Sequence, residues 1–258
     1  MTIIDHLGNV DLKRPTIFAH RGSSAYAPEN TMAAFNLAIE QHADAIELDV
    51  MLSADRQVVV MHDDSVDRTT NGHGRIKSLS LSELKRLDAG SKYNDQFAGE
   101  SIPSLIEVFD QIGEKTFINV ELKNYSSPTD SLPEKVADLV RKFHLESRIL
   151  LSSFNLLALV RVRKLLPKIK MGLLTIAGFG NIALYSRLFP FGPLFALHPA
   201  SMDATEKLIT AVHRKQSHVH AYTVNQPDEM RRLFSVGVDG IFTNDPLLAQ
   251  KVLADMNL

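Results

Sequence analysis

Hydrophobic and polar residues alternate along this chain in two patterns: short apolar runs, and longer stretches with apolar residues at helical spacing. The short runs predict eight strands, which open at Thr16, Ala45, Thr116, Ile149, Lys170, Leu194, His218 and Gly240. The helical spacing predicts helices over residues 31–42, 103–112, 132–143, 156–165, 181–188, 204–213, 228–234 and 246–256. For the first helix, Asn30 is the predicted N-cap.

Eight strand–helix units in 258 residues match the size of a closed (β/α)8 TIM barrel, so we expect that α/β fold. A doubly wound open sheet is the alternative, although no Gly-x-Gly-x-x-Gly motif follows the first strand to support it. An additional extended run, residues 57–61, lengthens the second unit.

Residues 65–101 depart from the alternation of strands and helices. They are polar and dotted with glycine, and they predict a small insertion after the second strand. Within it, the Ser80-x-x-Glu83 capping box predicts a short helix over residues 80–87, and His73 is expected to be solvated. No linker, repeat or low-complexity tract divides the chain, so we expect a single domain over residues 1–258.

Composition narrows the classes of protein that the chain can represent. A formal net charge of −2, without basic runs, gives no support for nucleic-acid binding. The absence of cysteine excludes disulfides, thiol catalysis and thiolate metal sites. The first 15 residues contain no apolar signal-peptide region, so we expect a cytoplasmic protein.

The most apolar region, residues 179–199, is interrupted by charged and helix-breaking residues and does not predict a transmembrane segment. We expect a helix, a turn and a buried strand there. The aromatic side chains of this region are Phe179, Tyr185, Phe189, Phe191 and Phe195. Core packing is the preferred interpretation for them, and peripheral contact with a membrane surface is the alternative.

Chemically active side chains cluster at the predicted ends of the first strands. His20 and Arg21 follow the first strand, where a loop leads into a helix. Glu47 and Asp49 lie two positions apart on the second strand, so their side chains leave on one face. Two carboxylates flanked by apolar residues repel each other and resist burial, and they therefore need a cation.

The third strand and the extra extended run add to this cluster. Glu121 and Lys123 share one strand face, and His62 follows residues 57–61. In a parallel barrel all of these side chains meet at the C-terminal mouth. Three carboxylates without cysteine favour a hard cation, Ca²⁺ or Mg²⁺. Zinc bound through the histidines is the alternative, but it would remove the groups available for acid–base chemistry.

Two cationic side chains and two histidines complete the predicted chemistry. Arg21 and Lys123 beside a metal ion form an anion pocket that suits phosphate, because arginine binds phosphate oxygens in a fork. His20 and His62 remain for proton transfer at neutral pH. A metal, a cationic clamp and two histidines together predict phosphoester cleavage of a small-molecule substrate.

These residues stand in motifs that resemble the glycerophosphodiester phosphodiesterase family. The motifs are His20-Arg21-Gly22, Pro28-Glu29-Asn30-Thr31, Glu47-Leu48-Asp49-Val50, His62-Asp63, Asp67-Arg68-Thr69-Thr70-Asn71-Gly72 and Glu121-Leu122-Lys123. Weaker matches, including Ser153-Phe154 and Thr223-Val224-Asn225, carry the resemblance nearly to the end of the chain. Any one motif is weak evidence, whereas their order and spacing together are specific.

The resemblance implies a TIM barrel with an insertion after its second strand, and one divalent cation held by Glu47, Asp49 and Glu121. It implies His20 as general base and His62 as general acid. It further implies hydrolysis of glycerophosphodiesters to glycerol 3-phosphate and an alcohol, within lipid and glycerol metabolism. Attack by the substrate's own hydroxyl through a cyclic phosphate and direct attack by water both remain open.

Substrate contacts are expected from Arg21, Glu47 and Lys123, and from side chains further along the barrel. These further side chains are His198, Phe154 and Tyr222, each of which has core packing as its alternative role. Tyr222 stands where many family members have tryptophan, and this chain contains no tryptophan, so the alcohol preference stays open.

Two functions compete with hydrolysis at this stage. A phospholipase D-like lyase would stop at the cyclic phosphate, and a non-catalytic module would bind phosphate or a polyol without turnover. The full set of histidines, carboxylates and lysine argues against the binding module.

Overall fold

The computed structural model describes residues 3–4, 10–178 and 194–257. Its strands are β1 (Ile3–Ile4), β2 (Val10–Asp11), β3 (Thr16–His20), β4 (Ala45–Leu52), β5 (Val58–Val60), β6 (Phe117–Leu122), β7 (Ile149–Ser153), β8 (Lys170–Thr175), β9 (Ala196–Pro199), β10 (His218–Ala221) and β11 (Gly240–Thr243). Eight of these described strands, β3, β4 and β6 to β11, are parallel neighbours, and β3 pairs with both β4 and β11. The sheet is therefore closed, which confirms the predicted (β/α)8 barrel and rules out the open sheet.

Helices follow the barrel strands and cover the outside of the barrel. Those in the described ranges are α1 (Met32–Glu40), α2 (Leu81–Leu84), α3 (Leu105–Ile112), α4 (Leu132–Lys142), α5 (Leu156–Leu165), α6 (Glu206–His213), α7 (Pro227–Ser235) and α8 (Pro246–Asp255). The helix predicted over residues 181–188 lies outside the described residues. None of the described helices has the length and apolarity that crossing a membrane requires.

The two-residue period of the strands divides their side chains between two layers. In β3, Ile17 and Ala19 belong to the large apolar cluster between the barrel and its helices. Phe18 belongs to a separate cluster with Phe117 and Phe242, contributed by other strands. Because His20 lies two residues after Phe18, its side chain shares the face of the Phe18 ring. Aromatic side chains and the buried ring of His220, 4.9 Å from Phe18, thus fill the barrel below its mouth.

Several predicted helix boundaries differ from the structure by one to three residues, and two of the differences have a clear physical reason. Thr31, not Asn30, caps α1, since the Thr31 hydroxyl accepts the amide of Ala34 at 3.3 Å. Asn30 instead adopts a left-handed backbone, with φ of +58°. The helix of the insertion begins at the predicted capping box of Ser80, but α2 ends at Leu84 because the next amides form i to i−3 turn bonds.

The insertion predicted after the second barrel strand is present. β5 first turns back to pair antiparallel with β4, and residues 65–101 then contain only short helical segments. Their apolar side chains form a small cluster of their own with Met51, Val59 and Met61. His73 is 85% exposed, as the flanking glycines predict. The insertion consequently lies against the barrel mouth at the end of β5.

The structure describes one of the five aromatic residues of the apolar region, Phe195. Phe179, Tyr185, Phe189 and Phe191 lie outside the described residues. Phe195 packs against the ring of His218, with ring centroids 4.7 Å apart, and thus has the core role that the sequence favours.

Candidate active site at the barrel mouth

Three carboxylates meet at the C-terminal mouth of the barrel. Glu47 and Asp49 lie on one face of β4, and Asp49 is paired in register with Glu121 of β6. One oxygen from each carboxylate lies within 4.8 Å of the others. Glu47, Asp49 and Glu121 are 3%, 1% and 8% exposed, so water solvates them poorly. The structure thus brings together the three residues predicted as metal ligands.

The electrostatics of this cluster favour a bound cation. Burial, followed by the charge of Asp49, raises the pKa of both Glu47 and Glu121. Among the described residues, Glu47 Oε1 is buried without a hydrogen-bond partner. An ionised carboxylate can only accept, so a cation or a donor must satisfy this oxygen. An all-oxygen donor set suits a hard divalent ion, and the residues therefore fit Ca²⁺ or Mg²⁺.

Arg21 and Lys123 provide positive charge beside the carboxylates. Arg21 Nε lies 3.4 Å from Asp49 Oδ2, and Lys123 Nζ lies 3.6 Å from Asp49 Oδ1 and 3.3 Å from Glu121 Oε1. Burial opposes both positive charges, but the neighbouring carboxylates outweigh it and raise the pKa of Arg21 and of Lys123. Both side chains line the same cavity, where they can bind an anion.

His20 is oriented by a side chain from the last barrel strand. Its Nδ1 donates to Asn244 Oδ1 at 2.7 Å, and its Nε2 lies 4.0 Å from Glu47 Oε2. Burial, followed by the charge of Arg21, lowers the pKa of His20 to about 4. The imidazole is therefore neutral at pH 7, with Nε2 free to accept a proton.

The turn after His20 depends on glycine. Arg21 has φ of +58°, and its backbone amide donates to Glu47 Oε2 at 2.9 Å. Gly22 follows with φ of +80°, and a Cβ there would lie 2.6 Å from the carbonyl carbon of Ala34. A larger residue would collide with α1, so Gly22 lets the loop bring Arg21 onto the carboxylate cluster.

His62 is held by the residue that follows it. Its Nδ1 donates to Asp63 Oδ1 at 2.6 Å, and Asp63 Oδ2 accepts from Arg68 Nε at 2.6 Å. Partial burial opposes the charge of Asp63, but hydrogen bonds from Arg68 and His62 lower the pKa of Asp63 to about 2. Asp63 thus stays ionised and holds the His62 ring through Nδ1, which leaves Nε2 for the cavity that His62 lines.

One cavity with an empty volume of about 550 Å³ contains nearly all of the predicted site. Of the predicted site residues, those that line it are His20, Arg21, Glu47, His62, Glu121, Lys123, Phe154, His198 and Tyr222. Asp49 is the exception, since it lies beneath Arg21 and Lys123, to which it is ion-paired.

His198 is completely buried at the base of this cavity. Its Nε2 lies 3.3 Å from His220 Nδ1, and its Nδ1 has no hydrogen-bond partner among the described residues. The ring occupies space that Gly172 leaves open, because a Cβ on Gly172 would lie 2.4 Å from His198 Cε1. Burial, followed by the charge of His220, lowers the pKa of His198, so it is neutral.

Aromatic rings form one wall of the cavity. Phe154 packs edge-to-face against Tyr222 and against Tyr125, with ring centroids 5.8 Å and 5.7 Å apart. The Tyr222 hydroxyl donates to the carbonyl of Thr175 at 2.7 Å, and the Tyr125 hydroxyl donates to Glu121 Oε1 at 2.7 Å. The polar tips are thus engaged, and the rings provide an apolar surface beside the carboxylates.

Several side chains that hold the site in place were not predicted from the sequence. They are Glu29, Asn30, Asp63, Arg68, Asn119, Tyr125 and Asn244. Asn30 Nδ2, for example, donates to Asp49 Oδ2 at 2.9 Å. A sequence signal existed for some of them, because Glu29, Asn30, Asp63 and Arg68 belong to the motifs around His20 and His62.

Carboxylates, two histidines and two cationic side chains thus lie together at the mouth of a TIM barrel, a combination of groups that acid–base chemistry on an anion requires. Residues 20–248 match the Glycerophosphoryl diester phosphodiesterase family. A glycerophosphodiester phosphodiesterase of Caldanaerobacter subterraneus is 41% identical over 234 residues, which cover 89% of this chain and 94% of that protein. A glycerophosphodiester phosphodiesterase of Bacillus altitudinis is 36% identical over 244 residues, which cover 93% of this chain and 98% of that protein.

Solved structures of phosphodiesterases are also similar to this chain. A phosphodiesterase from Oleispira antarctica, in complex with the product sn-glycerol-3-phosphate, has a TM-score of 0.83 at 32% identity and covers 93% of this chain and 97% of its own. A glycerophosphodiester phosphodiesterase from Agrobacterium tumefaciens has a TM-score of 0.78 at 29% identity, over 92% and 99% of the two chains. This chain belongs to the glycerophosphoryl diester phosphodiesterase family of enzymes, which confirms the resemblance.

Proposed function

We propose that this enzyme hydrolyses glycerophosphodiesters to glycerol 3-phosphate and an alcohol, using one divalent cation and a pair of histidines. The observation that carries the proposal is that His20 and His62, from separate segments of the sequence, line the same cavity as Glu47 and Glu121 of the buried carboxylate cluster. The product bound in the Oleispira antarctica phosphodiesterase supports the same substrate class. We further propose that residues 1–258 act as one catalytic domain.

Glu47, Asp49 and Glu121 would hold the cation, either Ca²⁺ or Mg²⁺. When bound, a divalent ion neutralises phosphate charge and polarises the reacting phosphoryl group. Arg21 and Lys123 bind the non-bridging phosphate oxygens from the same side of the cavity. Because both are held by Asp49, their charges are fixed before the substrate arrives and need no reorganisation.

His20 acts as the general base. Its Nδ1–H is committed to Asn244, so the lone pair of Nε2 takes the proton from the attacking oxygen. The lowered pKa of His20, about 4, keeps this nitrogen unprotonated at neutral pH. The attacking oxygen belongs to water or to the neighbouring glycerol hydroxyl, and both routes remove one proton at His20.

His62 acts as the general acid. It acts as the imidazolium: its Nδ1–H is held by Asp63, and its Nε2–H gives a proton to the oxygen of the departing alcohol as the phosphorus–oxygen bond breaks. The proton taken at His20 and the proton given at His62 balance each other over one hydrolysis. His20 and His62 thus have separate orienting partners, which suits separate roles.

The remaining cavity residues bind the organic parts of the substrate. Phe154 and Tyr222 present an apolar wall that would contact the alcohol half. His198 and Asn119 have buried polar atoms without hydrogen-bond partners in the described residues, and a substrate hydroxyl would satisfy them. We therefore propose His198 as a polar contact for the glycerol half, beside its packing role.

The proposal is tested with purified protein and glycerophosphocholine. Release of glycerol 3-phosphate is expected with Ca²⁺ or Mg²⁺ and should disappear when EDTA removes the ion. His20→Ala and His62→Ala should each lose about 100-fold or more in kcat while keeping the circular dichroism of the native enzyme. Full activity in either variant would refute the role assigned to that histidine.

Product analysis separates this function from its alternatives. Phosphorus NMR should show glycerol 3-phosphate accumulating, with any cyclic phosphate consumed. A cyclic phosphate that persists at the end of the reaction would indicate the lyase, and binding of the substrate without turnover would indicate a non-catalytic module.

A further inference from the structure

Arg68 belongs to the insertion, yet its guanidinium is bound by carboxylates at the barrel mouth. Its Nη1 and Nη2 donate to the two oxygens of Glu29 at 2.8 Å and 2.7 Å. Its Nε donates to Asp63 Oδ2 at 2.6 Å. Two parallel bonds to one carboxylate and a third to another use the fixed fork geometry of arginine, which lysine cannot reproduce.

Each of these two carboxylates also holds a residue of the proposed mechanism. The other oxygen of Asp63 accepts from His62 Nδ1 at 2.6 Å. Glu29 Oε1 accepts from Arg21 Nη1 at 2.9 Å, so it is shared between Arg21 and Arg68. An unbroken chain of hydrogen bonds therefore connects His62 with Arg21 through Arg68, while both ends line the catalytic cavity.

We propose that Arg68 is a positioning residue that fixes the separation of His62 and Arg21 across the phosphate site. The inference rests on the function proposed above, because it assigns Arg68 a role through those two residues. The insertion thereby supplies part of the active-site framework rather than a cover for the barrel mouth.

The surroundings of Arg68 support a positioning role over that of an ordinary surface ion pair. The Arg68 side chain is 49% exposed, and an arginine so exposed usually gains little from one ion pair. Here three charge-assisted bonds immobilise it between partly buried carboxylates, which are 21% and 31% exposed. Without the guanidinium, Glu29 and Asp63 would lose their shared donor, so the carboxylates that contact Arg21 and His62 would no longer be held at a fixed separation.

The experiment compares two substrates that differ in their need for a general acid. Glycerophosphocholine releases an alkoxide-type leaving group that needs a proton, whereas a nitrophenyl diester of glycerol phosphate releases a stable phenolate. Arg68→Gln is expected to lower kcat about 10- to 100-fold on glycerophosphocholine, since His62 is displaced, and much less on the nitrophenyl diester. It should also raise KM for both substrates, since Glu29, one of the two carboxylates that hold Arg21, loses its second donor.

Two isosteric variants separate the effect at His62 from the effect at Arg21, the two ends of the hydrogen-bond chain. Asp63→Asn should reproduce the kcat defect on glycerophosphocholine and spare the nitrophenyl diester. Glu29→Gln should mainly raise KM on both. Since Arg68 acts through Asp63 and Glu29, adding Arg68→Gln to either variant should cost less than the separate effects combined. Arg68→Lys keeps the charge without the fork and should recover only part of the activity.

Arg86→Gln is the matched control, because Arg86 is an exposed arginine of the same insertion. It should match the unmodified enzyme on both substrates. Arg68→Gln with unchanged kcat and KM would overturn the inference, as would equal losses on both substrates accompanied by an inert Asp63→Asn. An unmodified enzyme that turns over neither diester would instead refute the proposed function itself.

Discussion

The buried carboxylate cluster should couple the stability of the enzyme to its divalent cation. Glu47, Asp49 and Glu121 lie within 4.8 Å of one another, and repulsion between them is part of the cause of the raised pKa of both glutamates. A cation that binds the folded state alone stabilises it by about 2.7 kcal/mol when its concentration is one hundred times its Kd. This stabilisation should be measurable without any assay of activity.

The expected size follows from the length of the chain. Unfolding entropy is about 2.1 cal/mol/K per residue, so a chain of 258 residues has about 0.5 kcal/mol/K near its Tm. A gain of about 2.7 kcal/mol should therefore raise Tm by about 5 °C. Calorimetric titration gives the Kd that sets the concentrations, and differential scanning calorimetry then measures Tm with Ca²⁺, with Mg²⁺ and with EDTA.

A triple variant, Glu47→Gln with Asp49→Asn and Glu121→Gln, removes both the repulsion among the carboxylates and the affinity for the divalent cation. Its Tm should not respond to the cation. The matched control carries amides at three exposed acids, Glu114, Asp138 and Asp228, and should keep the full shift. Equal shifts in the triple variant and the control would refute the proposed metal site.

The pH dependence gives a second check on the same cluster. The pKa of Glu47 and of Glu121 is raised in the folded enzyme, so the folded state binds more protons than the unfolded state above about pH 4.5. In EDTA, stability should therefore fall as pH rises through the raised pKa values. This fall should be absent from the triple variant, and saturating cation should suppress it in the unmodified enzyme.

Three further changes test other parts of the structure. Gly172→Ala should displace the His198 ring, cost about 1–3 kcal/mol of stability and lower kcat/KM, as calorimetry and initial rates would show; unchanged values would mean that the ring moves freely. Burial, followed by the charge of His218, lowers the pKa of His220 to about 3, so between pH 6.5 and 3 the unfolded state binds a proton that the folded state does not. His220→Phe should therefore reduce the loss of stability on acidification by up to about 1.4 kcal/mol per pH unit in this range. An unchanged slope of unfolding free energy against pH would contradict this. Asn30→Ala should weaken cation affinity about 10-fold or more by calorimetric titration, and Asn30→Gly, which tolerates the left-handed backbone, should show the same loss if the contact with Asp49 is the cause.

The strand residues of the site could be predicted because a strand has a period of two. Glu47 and Asp49 had to share a face, and the closed barrel then placed Glu121 beside them. His20 could be placed because an apolar run ended at it. Local periodicity and one rule of topology were thus enough to assemble the carboxylates.

The residues that orient the site could not be found by the same reasoning. Asparagine is common at helix N-caps, so the sequence suggests that role for Asn30. It does not show that the left-handed backbone of Asn30 turns the side-chain amide toward Asp49. Arg68 and Glu29 are 39 positions apart and meet because the insertion folds back onto the first loop. Contacts of this kind depend on loop conformation, which carries no period in the sequence.

The closure of the barrel has a consequence for when the enzyme becomes competent during synthesis. His20 and its partner Asn244 are 224 positions apart, and β11 pairs directly with β3. A ribosome-bound chain synthesised only as far as Thr243 would carry both imidazoles and all three acids, but not the Asn244 side chain that holds His20 Nδ1. Turnover should therefore begin only once the C-terminal segment has emerged and closed the ring, which protects unfinished chains from premature chemistry.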